Sequence, residues 1–252
     1  MHALWHSGPV PTDHFGGRVA QGYDAGSAEM FHPAVVGPVV DFLADLAGDG
    51  AALEFGIGTG RIALPLRRRG VPVHGIDLSP DMVAVLRTKP GAEDIGVTVG
   101  DFATTRVEGA FRVVYIVYNT IGNLTTQDEQ VACFANAAAH LEVGGHFVVE
   151  VGIPALRLLP PGETVRAFMV TPTRLGFDEY DVANQGLVSH HYGIGDGRNE
   201  SASFPFRYVW PSELDLMARM AGMALAQRWS GWERRPFTSE STMHVSVWQT
   251  TA

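Results

Sequence analysis

Leu53-Glu54-Phe55-Gly56-Ile57-Gly58-Thr59-Gly60-Arg61 decides how the rest of the chain reads. An apolar run, Ala51–Phe55, enters it as a strand, and Arg61–Arg69 leaves it as a helix closed by Gly70. Glycines at such a turn let backbone approach a ligand and adopt dihedrals barred to other residues. Asp77 follows Gly56 by 21 residues, at the end of a second strand, Val71–Ile76. A carboxylate there is placed to accept hydrogen bonds from ribose hydroxyls. The plainer alternative is a glycine turn followed by an ordinary helix-capping aspartate, and the motifs further along weigh against it.

Upstream, Pro33 suits the first turn of a helix. Val35, Val36, Val39, Val40, Phe42, Leu43 and Leu46 then recur at helical spacing to Ala47. Residues 1–32 hold Gly8, Pro9, Pro11, Gly16, Gly17, Gly22 and Gly26 and read as an irregular N-terminal arm containing the Tyr23-Asp24 pair. Downstream, Ser79-Pro80-Asp81 opens a helix to about Thr88, and Ile95–Val99 and Val113–Val117 are strands. Thr126-Gln127-Asp128-Glu129 has capping-box spacing and starts a helix to about Leu141. Gly144-Gly145 turns into a fifth strand, His146–Val151. This order predicts an α/β fold, Rossmann-like and doubly wound, with a mostly parallel sheet and right-handed crossovers.

After Pro154 the pattern changes. Thr164–Thr171, Arg174–Asp181, Gln185–Tyr192 and Ser201–Val209 are β-like, separated by Pro172, Asn184 and Gly193-x-Gly195-x-Gly197, with no helix of useful length between them. Antiparallel pairing in a β cap inserted after the fifth strand is expected. Pro211–Ala221 is a helix, and Ala224–Trp229 and His244–Trp248 complete a seven-stranded sheet. The expected division is an arm at 1–32, a core at 33–154 and 211–252, and a cap at 155–210.

Composition narrows the function classes. The 252 residues carry a net charge of −9, with 46% hydrophobic and 18% charged residues, enough apolar surface for a sizeable core. Net acidity argues against a nucleic-acid partner, which needs clustered Lys and Arg. The single Cys133 forbids an intramolecular disulfide. Met1-His2-Ala3-Leu4-Trp5-His6 lacks a basic leader, and no run approaches the roughly 20 apolar residues of a membrane helix. The expectation is a soluble, cytoplasmic protein without a membrane partner. Lys89 is the only lysine and reads as coding bias.

The ligand class follows from Glu54 and Arg61. The dinucleotide fingerprint G-x-G-x-x-G wants glycine where Arg61 stands. A carboxylate beside the turn repels a pyrophosphate but favours an ammonium or sulfonium. S-adenosylmethionine carries both cations and no phosphate. Glu54-Phe55-Gly56-Ile57-Gly58-Thr59-Gly60 resembles motif I of the class I S-adenosylmethionine-dependent methyltransferases. Gly75-Ile76-Asp77-Leu78-Ser79, Gly100-Asp101-Phe102, Tyr118-Asn119-Thr120-Ile121-Gly122-Asn123-Leu124 and Leu141-Glu142-Val143-Gly144-Gly145 follow in the family's order. The resemblance implies S-adenosyl-L-methionine as cofactor, with Gly56, Gly58 and Gly60 along the methionyl moiety and Glu54 near its ammonium. Asp77 would hold the ribose diol, and Leu78 and Met82 would pack the adenine. Asp101 would accept from the adenine amino group, the Phe102 amide would face the ring, and Asn119 would sit beside the methionyl group or serve only as a turn residue.

Asn119-Thr120-Ile121-Gly122-Asn123-Leu124 is similar to the loop of small-molecule N-methyltransferases of the glycine and antibiotic amino-sugar type, as is the Tyr23-Asp24 pair. Many of those enzymes carry histidine where Asn123 stands, which removes one candidate base. The implied reaction is in-line methyl transfer to a small-molecule acceptor nitrogen or oxygen, with proximity as the main contribution. Tyr23, His191 and Asn123 are the candidate catalytic residues, and His190 and His14 are further candidate bases. Adjacent strand residues face opposite ways, so at most one of His190 and His191 reaches the cleft. Phe204, Phe206, Tyr208 and Trp210 alternate onto one cap face, a surface for packing on the core, for a homodimer contact, or for a substrate wall. No metal is expected, since the histidines are scattered and a carboxylate is missing at Asn119. Two rivals stand: a non-catalytic S-adenosylmethionine-binding domain, and an NAD(P)-dependent oxidoreductase.

Overall fold

The computed structural model describes residues 12–195 and 198–251. The start Met1–His6 and the Gly197 end of the glycine run lie outside them. Seven strands form the main sheet: β1 (Ala52–Phe55), β2 (Val73–Asp77), β3 (Gly96–Val99), β4 (Phe111–Ile116), β5 (Leu141–Gly152), β10 (Met223–Trp229) and β11 (Met243–Thr250). Their order is β10-β11-β5-β4-β1-β2-β3. The pairs β1–β2, β2–β3, β1–β4 and β4–β5 are parallel, and β11 is antiparallel to both β5 and β10.

Helices cover both faces, so central strands are apolar on both sides. Leu53 and Phe55 of β1, with Val114 and Ile116 of β4, pack beneath α5 (Gln127–His140) and α6 (Pro211–Met220). Ala52, Val113 and Tyr115 point the other way, toward α2 (Pro33–Ala47) and α3 (Ala63–Arg68). The period-2 alternation of a strand thus splits one apolar run between two cores. Pro33 opens α2, Ser79 caps α4 (Pro80–Arg87) through the Met82 amide, and the full Thr126/Glu129 capping box starts α5. Between β5 and α6 a separate antiparallel sheet runs β6 (Val165–Val170), β7 (Arg174–Asp181), β8 (Gly186–Gly195) and β9 (Arg198–Arg207) in that order.

Three readings change. The arm is not irregular throughout: α1 (Arg18–Gly26) and a 3₁₀ turn, Ala28–Phe31, lie within it. Long-range contacts form them, since α1 lacks a side-chain N-cap and buries only Ala20. β5 begins at Leu141 and includes Gly144-Gly145. Gly144 has φ +75°, its N–H reaches Thr250 Oγ1 at 2.9 Å, and the β4 register shifts past it. β8 continues through Gly193 to Gly195 because β9 pairs with it there. Among the described residues no helix is long and apolar enough to cross a membrane.

Candidate active site

The strand order reverses between β1 and β4, and the crevice beyond the carboxyl ends of strands at such a point is where open α/β sheets bind ligands. A cavity of about 440 Å³ opens there, within the usual range for small-molecule sites. The glycine turn forms its floor. Gly56 has φ +75°, and a Cβ on it would stand 2.5 Å from Thr120 Cγ2. Gly58 has φ +53° and gives its N–H to Asp77 Oδ2 at 2.6 Å. Gly60 does not line the cavity. A Cβ there would meet Leu86 Cδ1 at 2.3 Å, so this glycine lets the turn pack on α4.

Asp77 also accepts from the Ser79 amide at 2.9 Å. Each carboxylate oxygen keeps a second lone pair, and the side chain borders the cavity. Burial raises its pKa against these two bonds. Glu54 is 2% exposed and accepts a 2.9 Å hydrogen bond from Tyr115 Oη. Burial pushes its carboxyl up to about 8, with the Tyr115 hydrogen bond opposing. Leu78, Met82 and Asp101 continue the wall. Asp101 Oδ1 holds the Ala103 amide at 2.8 Å, and Phe102 stacks on Phe55 with centroids 5.8 Å apart.

Asn119 is a turn residue. At φ +60° it closes β4, and its Oδ1 accepts from the Gly152 amide at 2.6 Å, away from the cavity wall. Its neighbour Tyr118, also left-handed at φ +56°, lines the cavity instead. The Arg61 guanidinium lies 5.1 Å from the Tyr118 ring centroid and also faces the cavity. Neither was singled out from the sequence as a ligand residue, although the polar Tyr118-Asn119 pair at a strand end was the available signal.

The arm and the cap supply the outer wall. Tyr23, Asn123, Phe204 and Phe206 face the cavity, joined by Thr12, Asp13, His14 and Phe15. Phe15 stacks on Phe204 at 5.9 Å and meets Tyr23 edge-on at 6.4 Å. Burial, then Tyr118, raises the Tyr23 phenol. His190 and His191 do face opposite ways, yet neither lines the cavity. His191 contacts Ser189 Oγ at 3.1 Å and lies behind Phe204, while His190 contacts Ser203 Oγ at 2.8 Å and stacks on Phe177. The aromatic alternation ends with β9: Tyr208 packs on Tyr180, and Trp210 precedes α6. Arg207, the last residue of β9, anchors the cap to the core through Gln130 Oε1 and Glu213 Oε1 at 2.5 and 2.7 Å.

Among the described lining residues, Asp13, Glu54, Asp77, Asp101 and Glu129 oppose a single guanidinium, Arg61. The described residues hold no group of three or more His, Cys, Asp or Glu placed for a metal ion.

Residues 52–145 match the family model described as a methyltransferase domain. The CcbJ methyltransferase from Streptomyces caelestis is 36% identical, with a TM-score of 0.78 over 85% of this chain and 89% of that one. A dTDP-3-amino-3,4,6-trideoxy-alpha-D-glucopyranose N,N-dimethyltransferase of Streptomyces venezuelae is 32% identical over 98 residues, 39% of this chain and 40% of that protein. S-adenosylmethionine-bound CalS10, an amino pentose methyltransferase from Micromonospora echinaspora, shares the fold at 23% identity and TM-score 0.71, over 91% of this chain and 96% of that one. The chain spans about 40–50% of the length of the curated relatives it matches. The chain belongs to the methyltransferases.

Proposed function

We infer that the chain transfers a methyl group from S-adenosylmethionine to the nitrogen of a small, ring-containing amine that bears no phosphate. The observation that carries this reading is the cavity's acidity: Asp13, Asp77, Asp101 and Glu129, with Glu54 ionising beside a bound cation, against the single guanidinium of Arg61. Such a wall attracts sulfonium and ammonium groups and repels a diphosphate. It disfavours NAD(P) as cofactor and a nucleotide-linked acceptor alike. The amine class, but not the nucleotide linkage, is shared with the Streptomyces venezuelae relative, which is named for a dTDP-linked amino sugar.

The residues present fit the cofactor. Gly56 and Gly58, both at positive φ, bring bare backbone to the cavity, where a Cβ on Gly56 would collide with Thr120 and one on Gly58 would touch Met82. Glu54 would face the ammonium, Arg61 the carboxylate of the methionyl group, and Asp77 the ribose diol. Leu78 and Met82 would flank the adenine, with Asp101 and the Phe102 amide at its polar edge. Gly60 and Asn119 would support the turn and the end of β4. When bound, S-adenosylmethionine supplies a methyl group already activated on positively charged sulfur, so alignment is the main task left to the chain. Tyr23, its phenol raised by burial, keeps its proton at neutral pH and offers Oη lone pairs to an acceptor N–H. Asn123 orients the acceptor from the opposite loop. His14, on the exposed arm at the cavity mouth, takes the base role that His191 cannot reach. Phe15, Phe204 and Phe206 exclude water, which gives the arm (1–32) and the cap (155–210) a substrate role over the core.

The experiment supplies methyl-labelled S-adenosylmethionine with free amino sugars and aromatic amines, and with the same amino sugars carried on a nucleoside diphosphate. Label should appear on nitrogen of the free amines. Label on hydroxyl oxygen, or only on the nucleotide-linked sugars, would overturn the acceptor assignment.

A further inference from the structure

Lys89 follows α4 on the reverse side of the glycine turn and does not border the active cavity. Its ammonium lies 2.5 Å from Asp24 Oδ2 and donates to the Thr59 carbonyl at 2.7 Å. Asp24 Oδ1 in turn accepts from Thr59 Oγ1 at 2.6 Å. The ammonium also sits 5.2 Å from the Phe31 ring centroid. One cation thus gathers α1, the 3₁₀ turn behind it and the glycine turn at a single point.

The arm needs such a fastening. A nine-residue helix with no side-chain N-cap and one buried residue is too short to hold itself in water. Tyr23, the neighbour of Asp24, roofs the cavity, and Phe15 ties the same arm to the cap through Phe204. The pair is partly buried, with Lys89 22% and Asp24 36% exposed, and its bonds are charge-assisted and stronger than neutral ones.

We propose that Lys89 is a positioning residue. It latches the arm to the glycine turn through Asp24, and so sets how long the ligand stays in the cavity and where Tyr23 stands. The latch rests on the reading of that cavity as the cofactor site. It acts on Tyr23 and the roof without touching a ligand.

The test measures the dissociation rate of S-adenosylhomocysteine by stopped flow for the wild type, Lys89→Met, Lys89→Arg, Asp24→Asn and the Lys89→Met/Asp24→Asn double variant. Amide exchange over 18–26 is measured alongside, without ligand. Lys89→Met and Asp24→Asn should each speed release about fivefold or more, the double variant no further, and Lys89→Arg should restore most of the slow release. Non-additivity is the sign of a shared contact. The amides of α1 should exchange faster in Lys89→Met while its melting temperature stays near wild type. Unchanged release in Lys89→Met, or multiplicative effects in the double variant, would overturn the latch. Failure of the wild type to bind S-adenosylhomocysteine would defeat the reading of the cavity instead. The ligand-free exchange still decides the latch in that case: equal α1 protection in wild type and Lys89→Met overturns it.

Discussion

Glu54 shows how one side chain can tie ligand binding to pH. Burial holds its carboxyl at about 8 against an ordinary 4.5, so the ligand-free protein keeps it protonated at neutral pH. An ammonium beside it favours the ionised form, and binding then releases a proton. Affinity for S-adenosylhomocysteine should therefore fall as pH drops from 8 to 6, by up to about tenfold per unit. The stability sign is opposite. The folded state binds this proton more tightly than the unfolded state, so the group's contribution to stability is lost as pH rises from about 4.5 to 8. Glu54→Gln should flatten the affinity profile in calorimetry and raise the ligand-free melting temperature at pH 8. A wild-type affinity flat between pH 6 and 8 would count against Glu54 as the ammonium's partner. Glu54 and Asp77 were legible in the sequence because residue type and spacing alone mark them. Tyr118 and Asn119 were not distinguishable, since two consecutive left-handed residues decide which side chain faces the cavity.

At the scale of elements, the core helices and strands followed from periodicity, prolines and caps. Pro33 and Thr126 mark the starts of α2 and α5 in the structure as they do in the sequence. The arm helix escaped because its stability is not local: the Asp81 carboxylate holds the Gly17 amide at 2.6 Å, and Lys89 holds Asp24. The glycine turn likewise divides in a way that spacing cannot reveal. Gly56 and Gly58 border the cavity, Gly56 also letting Thr120 approach, whereas Gly60 lets Leu86 and Leu64 close against the turn outside it. Gly60→Ala combines φ +81° with a Cβ 2.3 Å from Leu86 Cδ1. Overpacking of this kind should cost about 1–3 kcal/mol, read by urea unfolding, while the folded fraction keeps its affinity for S-adenosylhomocysteine. Intact stability with lost affinity would return Gly60 to the ligand wall.

Across the whole molecule, the alternation of strands and helices implied a parallel sheet, and the reversal between β1 and β4 sets the cavity beyond the carboxyl ends of its central strands. The antiparallel sheet between β5 and α6 was visible as β-like stretches without helices. How it meets the arm was not, because the Phe15–Phe204 stack joins residues 189 positions apart, and no local pattern encodes such a pair. His191, sound by residue type, falls behind Phe204 because the β8–β9 register sets the two rings side by side on the sheet. The central claim is that this composite cavity holds S-adenosylmethionine with Asp77 at its ribose. Calorimetric titration of wild type and Asp77→Ala with S-adenosylhomocysteine and with NAD tests it most directly. The account predicts one S-adenosylhomocysteine bound per wild-type chain, no heat with NAD, and at least a tenfold loss of affinity in a folded Asp77→Ala. Binding of NAD without S-adenosylhomocysteine, or equal affinity in Asp77→Ala, would contradict it.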